Sequence, residues 1–323
     1  MTGFGDGVGD HLFHSASNQH LYQLFYCGHG CVPLDTWIYQ DITQMAGNAP
    51  LLAVESNLSS FAYGTQEHVF YFGTNQHVYQ VVTPSGGGWV YQDLTAASGG
   101  AVAASGSSLS SFGDSVGQHV FYQGANGHIY QLYYGYNTGY WVDQDLTAMT
   151  GGPVAVSGTA LTSFADSQEH TVYQGTNKHI YQFVTHPGGW LYQDLTVGAL
   201  PIANSPLTSF AQGGNEYVLY LTAAGQHGYP ICESFYNGSS WSGYVLASYA
   251  LGNNPPTPVI NILASAGVTN LHDDIYYFVG GGSVVITGRT LLGPNGGNSV
   301  DPHFPLPVST IFYVSPLVEY IEP

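Results

Sequence analysis

Lysine and arginine are almost absent from this 323-residue chain: Lys178 and Arg289 stand against 20 aspartates and glutamates, for a formal net charge of −18 with histidine neutral. Binding a phosphate backbone needs clustered cations, so nucleic acid is excluded as a partner and an anionic membrane surface is equally ill matched. Charge of either sign is scarce, at 7% of residues, and polarity comes instead from Gly, Ser, Thr, Asn, Gln and 26 Tyr. Disorder through self-repulsion would need more charge and fewer aromatics than the 14% present, so the chain is expected to fold. No apolar run reaches the roughly 18 residues of a membrane span, which argues against membrane insertion. The start MTGFGDGVGDHL has neither a basic stretch nor an apolar core, so no signal peptide is visible in it. A removed leader, non-classical secretion and an intracellular protein all fit that start; the expectation taken forward is a secreted protein.

Cysteine is nearly missing as well. Cys27 and Cys31 bracket GHG, which leaves a local disulfide and a chance pair of thiols both open, with Cys232 far away in sequence. A zinc site needs four ligands at recognisable spacing, and His29 between the two cysteines supplies only a fragment of one. No metal and no cofactor are expected. Calcium loops fare no better: GDGVGD, with Asp6 and Asp10, is echoed at 113–118 as GDSVGQ, where acids are lost.

What the chain does have is a period. Its five tryptophans, Trp37, Trp89, Trp141, Trp190 and Trp241, are spaced by 52, 52, 49 and 51 residues. In the same register run Phe4, Phe61, Phe112, Phe164 and Phe210, and the pairs His20/Tyr22, His77/Tyr79, His128/Tyr130, His179/Tyr181 and His227/Tyr229. Within one unit, ALTSFA, HTVYQG, HIYQFV and WLYQDL read as four short strands, the middle two joined by a tight turn at 175–178. No convincing helix of about 10 or more residues interrupts them.

Repeats of about 50 residues with four antiparallel strands are the signature of β-propeller blades, which bury their faces only against neighbours. The sequence therefore predicts an all-β, single-domain propeller of six blades, near 1–56, 57–107, 108–158, 159–205, 206–256 and a degenerate 257–323, with seven blades as the alternative. The repeated Phe positions are expected to glue blades together. The first histidine of each hairpin (His11, His68, His119, His170), the Ser of the SF signal and the Asp of the QDLT turn (Asp41, Asp93, Asp145, Asp194) are expected to form a buried relay like that of WD-repeat blades.

A sugar offers an apolar C–H face to an aromatic ring and hydroxyls to neutral polar groups. The candidate ligand-binding set is accordingly Trp37, Trp89, Trp141, Trp190 and Trp241 with Tyr22, Tyr79, Tyr130 and Tyr181 and His20, His77, His128 and His179. Blade packing is the other reading of the Trp positions. Propeller glycosidases draw their carboxylates from unique positions, whereas Glu67 and Glu169 are borne by the repeat, so no enzymatic activity is expected.

LTSFAD at 161–166, GTN at 73–75 and 175–177, HIYQL at 128–132 and QDLT at 92–95, 144–147 and 193–196 give roughly residues 1–250 a pattern that resembles the β-propeller lectins, in particular the fungal fucose-specific lectin-like and tectonin-like groups. That resemblance implies a multivalent, extracellular carbohydrate-binding protein with shallow sites between adjacent blades and glycans or glycoconjugates as partners. Fucose-specific members hold the sugar with an Arg, a Glu and an aromatic residue, and the first 288 residues here contain no Arg. The Trp positions transfer, and a site on this chain has to be built from neutral groups. The alternative function is a structural protein that self-assembles through its Tyr-rich surface into a homo-oligomer, filament or matrix.

Overall fold

The computed structural model describes residues 1–6, 8–28, 36–54, 56–85, 87–212, 214–222 and 231–245, together with the strand backbone of 259–269, 272–279 and 283–290. His227 and Tyr229, residues 29–35 with Cys31, and the part of the degenerate sixth unit after residue 290 lie outside them. The described residues form five four-stranded antiparallel sheets and one three-stranded sheet, each built from strands consecutive in the chain. Sheets 1 to 6 occupy residues 2–41, 59–93, 109–145, 161–194, 207–245 and 259–290. Sheet 4 is representative, with strands Leu161–Ala165, Glu169–Gln174, Ile180–His186 and Gly189–Asp194.

The central hairpins of sheets 1 to 4 each turn on a residue in the left-handed region: Gln19, Gln76, Gly127 and Lys178 have φ of 62°, 62°, 81° and 70°. Such a conformation costs a non-glycine side chain, and the turn's own asparagine offsets that cost. Asn18, Asn75, Asn126 and Asn177 each accept the amide of the histidine two residues on, at 3.0–3.2 Å. The only helices among the described residues are single turns, Ile42–Met45, Leu94–Ser98 and Leu146–Thr150, that follow the fourth strands of sheets 1 to 3.

Among the described residues, one core lies between the sheets at each of the first four junctions. Phe13 and Leu21 of sheet 1 pack with Val69, Tyr71 and Val81 of sheet 2; Phe70 and Val78 of sheet 2 pack with Val120 and Leu132 of sheet 3. Phe121 and Ile129 of sheet 3 meet Tyr173 and Phe183 of sheet 4, and Val172 and Ile180 of sheet 4 meet Val218 and Tyr220 of sheet 5. Of the repeated Phe rings, Phe4, Phe61 and Phe112 pack against these cores; a Cβ on Gly113 would come within 2.6 Å of the Phe61 ring from the preceding sheet, so a residue with no side chain is required there. First strands are also stitched to one another through hydroxyls, Thr2 to Ser60, Ser59 to Ser111, Ser110 to Ser163 and Thr162 to Ser209, at 2.6–2.9 Å.

The expected relay does not form. Each QDLT aspartate binds the second histidine of its unit, not the first, and the SF serines are spent on the hydroxyl stitches. Register explains the difference: the aspartate stands at the end of the fourth strand opposite Tyr22, Tyr79, Tyr130 or Tyr181, beside the central hairpin, whereas the first histidine lies near the other end of the sheet.

Candidate functional site

The second histidines and their tyrosines form a repeated clasp. His20, His77, His128 and His179 place Nδ1 at 2.6–2.8 Å from Oδ2 of Asp41, Asp93, Asp145 and Asp194. The other carboxylate oxygen accepts a backbone amide just beyond the strand, at 2.8–3.1 Å, capping the helical turn in sheets 1 to 3. Tyr22, Tyr79, Tyr130 and Tyr181 accept from the turn asparagine at 2.8–3.0 Å, and Tyr79, Tyr130 and Tyr181 are buried. Asp145→Ala removes a cap and a histidine partner together and is expected to cost about 1–2 kcal/mol, read as an earlier urea midpoint at unchanged slope.

The tryptophans stand at the opposite end. Tyr130 pairs with Asp145 but Tyr134 with Trp141, which puts Trp141 about 13 Å along the strand from the clasp. The candidate set is thus split between two ends of each sheet and does not converge. Trp89 and Trp141 are buried in the junctions between sheets 1 and 2 and sheets 2 and 3, while Trp190 and Trp241 are partly buried in the next two. Trp37 is 58% exposed.

Around each tryptophan's end of the junction, the first histidine builds a tie to the next sheet. His11 is stacked between Phe4 and Phe25, its Nδ1 2.9 Å from Gln23 Nε2 and 3.0 Å from Glu67 Oε2, with Asp6 3.4 Å from Nε2. His119 repeats this with Phe112, Tyr133, Gln131, Glu169 and Asp114. The junction of sheets 2 and 3 departs from the pattern at three places. Gln118 replaces the glutamate, Tyr63 replaces the aspartate of the turn, and Val82 stands opposite His68 where Phe25 and Tyr133 cover their histidines.

These replacements leave an open cleft of about 280 Å³. Trp141, Tyr134 and Tyr136 form its aromatic side; Gln66, Gln80, Gln92 and Gln118 supply amides, and His68 and Val82 complete it. Gln80 Nε2 donates to Gln118 Oε1 at 2.7 Å and lies 2.9 Å from His68 Nδ1, which fixes that nitrogen as an acceptor and the ring proton on Nε2. His68 Nε2 and the Tyr136 hydroxyl are both buried without a hydrogen-bond partner. Trp141 Nε1 donates to Gln92 Oε1 at 3.3 Å. Burial pulls the His68 imidazole down to about 4, and burial, with Tyr63 and Asp114 nearby, pushes the Tyr136 phenol up to about 12. The cleft is therefore neutral across the physiological range.

Of the ligand-binding candidates read from sequence, only Trp141 lines this cleft; His68 stands out in the sequence as the first histidine of its hairpin, but for a structural relay. The four glutamines, Tyr134 and Tyr136 carry no ligand signal, because what opens the cleft is a break in the repeat.

The two kinds of histidine tie give opposite pH signatures. Burial opposes a charge on His11, but Glu67 and Asp6 outweigh it and raise its pKa, so its contribution is complete below about 6.5 and is lost as pH rises through the raised value. His68 binds its proton more weakly folded than unfolded, so its contribution is complete above about 6.5 and is lost as pH falls towards 4. That loss amounts to on the order of 3 kcal/mol. His68→Gln is expected to flatten the fall in stability between pH 6.5 and 4, measured by urea unfolding across that range.

No family model matches the chain, and no curated protein is similar to it. Solved structures are. BP39L lectin from Burkholderia pseudomallei superposes with a TM-score of 0.63 at 12% identity, over 92% of this chain and 83% of that one. AofleA from Arthrobotrys oligospora, as a triple arginine-to-alanine variant, gives 0.60 at 16% identity over 90% and 82%. A fungal lectin from Aleuria aurantia, described as a six-bladed β-propeller with a novel mode of fucose recognition, gives 0.57 at 17% over 89% and 90%. The fold is that of the β-propeller lectins.

Proposed function

We propose that this chain is a six-bladed, non-enzymatic carbohydrate-binding propeller whose principal site is the cleft between sheets 2 and 3. The observation that carries the reading is the pairing of two buried, unpartnered polar atoms, His68 Nε2 and the Tyr136 hydroxyl, with an aromatic wall in one neutral cleft. Unmet buried hydrogen-bonding groups are costly, and a ligand rich in hydroxyls would satisfy them while its C–H face stacks on Trp141 or Tyr134. At about 280 Å³ the space suits a single sugar residue, being just under the roughly 300–1,000 Å³ of drug-sized sites. Among the described residues no carboxylate lines it, and none there supplies an acid/base pair for glycoside hydrolysis. The lectins that share the fold support the same class of ligand: one was crystallised with α-methyl fucoside and another with Fucalpha1-6GlcNAc.

Repetition of the wall at Trp89, Trp190 and Trp241 supports further, weaker sites whose affinities add by avidity. Phe25, stacked on His11, and Tyr133, tilted against His119, narrow the sheet 1–2 and sheet 3–4 junctions, whereas Val82 leaves the sheet 2–3 cleft open. Cys27 is disulfide-bonded, which supports an oxidising, extracellular setting. Cys232 is a free, buried thiol.

Tyr136→Phe keeps the ring and removes the hydroxyl. It is expected to weaken glycan binding about 5–20-fold on an array or by titration calorimetry. Unchanged affinity would place the ligand elsewhere. A second reading, self-assembly, is favoured by the exposed Tyr39, Val90, Tyr91, Leu191 and Tyr192 on the outer strands. It requires a concentration-dependent mass in sedimentation, which the lectin reading does not.

A further inference from the structure

Two of the three replacements that open the cleft between sheets 2 and 3 act in one chemical direction: they remove acceptors. In the other junctions, Nε2 of the first histidine faces a turn carboxylate, Oδ1 of Asp6, Asp114 or Asp166, at 3.3–3.4 Å. Its Nδ1 lies 3.0–3.5 Å from a glutamate of the next sheet, Glu67, Glu169 or Glu216. Sheet 2 has Tyr63 in place of the turn aspartate, and sheet 3 offers Gln118 in place of the glutamate. Among the described residues nothing takes over the aspartate's role. His68 is 1% exposed, and its Nε2 is buried without a partner.

The amides of the cleft are polarised in the same sense. Gln80 Nε2 gives its two protons to His68 Nδ1 and Gln118 Oε1, so the imidazole proton sits on Nε2 and the end of Gln118 left over is its NH₂ group. Gln92 spends Oε1 on the Trp141 indole, which leaves NH₂ there too. Each of these three groups therefore offers an N–H and needs an oxygen. A hydroxyl that accepts from them brings a proton of its own, which needs a further acceptor; a carbonyl oxygen accepts and brings none. Sugars carry such a carbonyl in the acetamido group. Val82 stands directly opposite His68 across the second and third strands, so its isopropyl group shares a face with the imidazole. An N–H beside an aliphatic side chain matches the C=O and CH₃ of an acetamido group, whereas Phe25 and Tyr133 fill the corresponding place in sheets 1 and 3. A carboxylate would also accept, but no Lys or Arg lines the cleft among the described residues, and a desolvated anion without a cation is costly.

We infer that the cleft selects N-acetylated sugars, the acetamido carbonyl accepting from His68 Nε2 and the methyl group lying against Val82. This rests on the reading of the cleft as a sugar site and names the sugars it takes. Tyr63 is the specificity-determining position. An acceptor placed there, as in sheets 1, 3 and 4, satisfies Nε2 from within the protein and removes the reason to prefer a carbonyl.

The test follows the Trp141 indole N–H resonance of the full-length protein through titration with matched pairs: N-acetylglucosamine and glucose, N-acetylgalactosamine and galactose, N-acetylmannosamine and mannose. L-Fucose and glucuronate are titrated alongside. In at least one pair the acetamido member is expected to bind about tenfold more tightly than its parent, or better. Tyr63→Asp is expected to bring that ratio within about twofold of unity, while Tyr63→Leu, which loses the ring without adding an acceptor, keeps it. Tyr63 is 36% exposed, and aspartate is what sheets 1, 3 and 4 carry at this position, so both variants are expected to fold. The wild-type ratios decide alone should either fail. A parent sugar, fucose or glucuronate that binds as tightly as every acetamido sugar overturns the inference and leaves the cleft a sugar site, as does a ratio that Tyr63→Asp does not lower. A Trp141 resonance that no sugar moves overturns both.

Discussion

Trp141→Ala is expected to abolish measurable glycan binding while Trp37→Ala leaves it intact. Both residues occupy the same place in their repeats, but Trp141 is 5% exposed and walls the cleft beside His68, whereas Trp37 is 58% exposed with no described sheet before it. Removal of the ring deletes the stacking face and frees Gln92, which now receives the indole proton. Loss of a sugar-stacking aromatic and one hydrogen bond together corresponds to a fall in affinity on the order of 100-fold. Because Trp141 also joins the core with Phe70 and Val120, the variant will melt earlier, and Trp141→Phe serves as the control that keeps most of the packing. Glycan-array signal at equal folded concentration is the measurement. Binding that survives Trp141→Ala with full strength would remove the cleft from the account.

The second large effect concerns what holds the sheets together. Phe121 is fully buried, contributed by sheet 3, and meets Trp190 of sheet 4 edge to face at 6.2 Å and 79°. Phe121→Ala is expected to cost about 3–5 kcal/mol, because the cavity lies between two sheets that cannot both close on it. Against a total stability of about 5–15 kcal/mol, that is enough to lower the melting temperature by many degrees. The core clusters of the described residues lie between sheets, so the loss should appear as one cooperative transition at lower temperature and not as melting of sheet 3 alone. A change below about 1 kcal/mol would mean that the sheets are held mainly by their hydroxyl stitches and linkers.

Much of the architecture was legible from spacing. The tryptophan period located the sheets, and alternation with Gly and Asn punctuation located the strands of sheet 4 to within a residue or two at most ends. The hairpin at 175–178 was readable because its asparagine has a local, backbone-directed task. The relay was misread for a reason that sequence does not encode: which end of a strand an aspartate reaches depends on register between strands, and a histidine at either end of the hairpin would fit the same spacing. The candidate site was legible only in part. Repetition marks what every blade needs, so His20, His77, His128 and His179 stood out and proved to be clasps that join strand ends. The cleft instead comes from three substitutions in one junction, Tyr63, Val82 and Gln118, each unremarkable alone. Their common effect, removal of charge and of the covering ring, becomes visible only when the two sheets are placed side by side.

The central claim is that a neutral sugar occupies the cleft between sheets 2 and 3, and the five tryptophans make it directly testable. Titration of the isotopically labelled protein with a panel of neutral monosaccharides, followed through the indole N–H resonances and assigned by Trp141→Phe, reads each junction separately. The account predicts a saturable shift of the Trp141 resonance at lower sugar concentration than any other. Movement of another indole while Trp141 stays fixed, or no movement with any sugar, would contradict it.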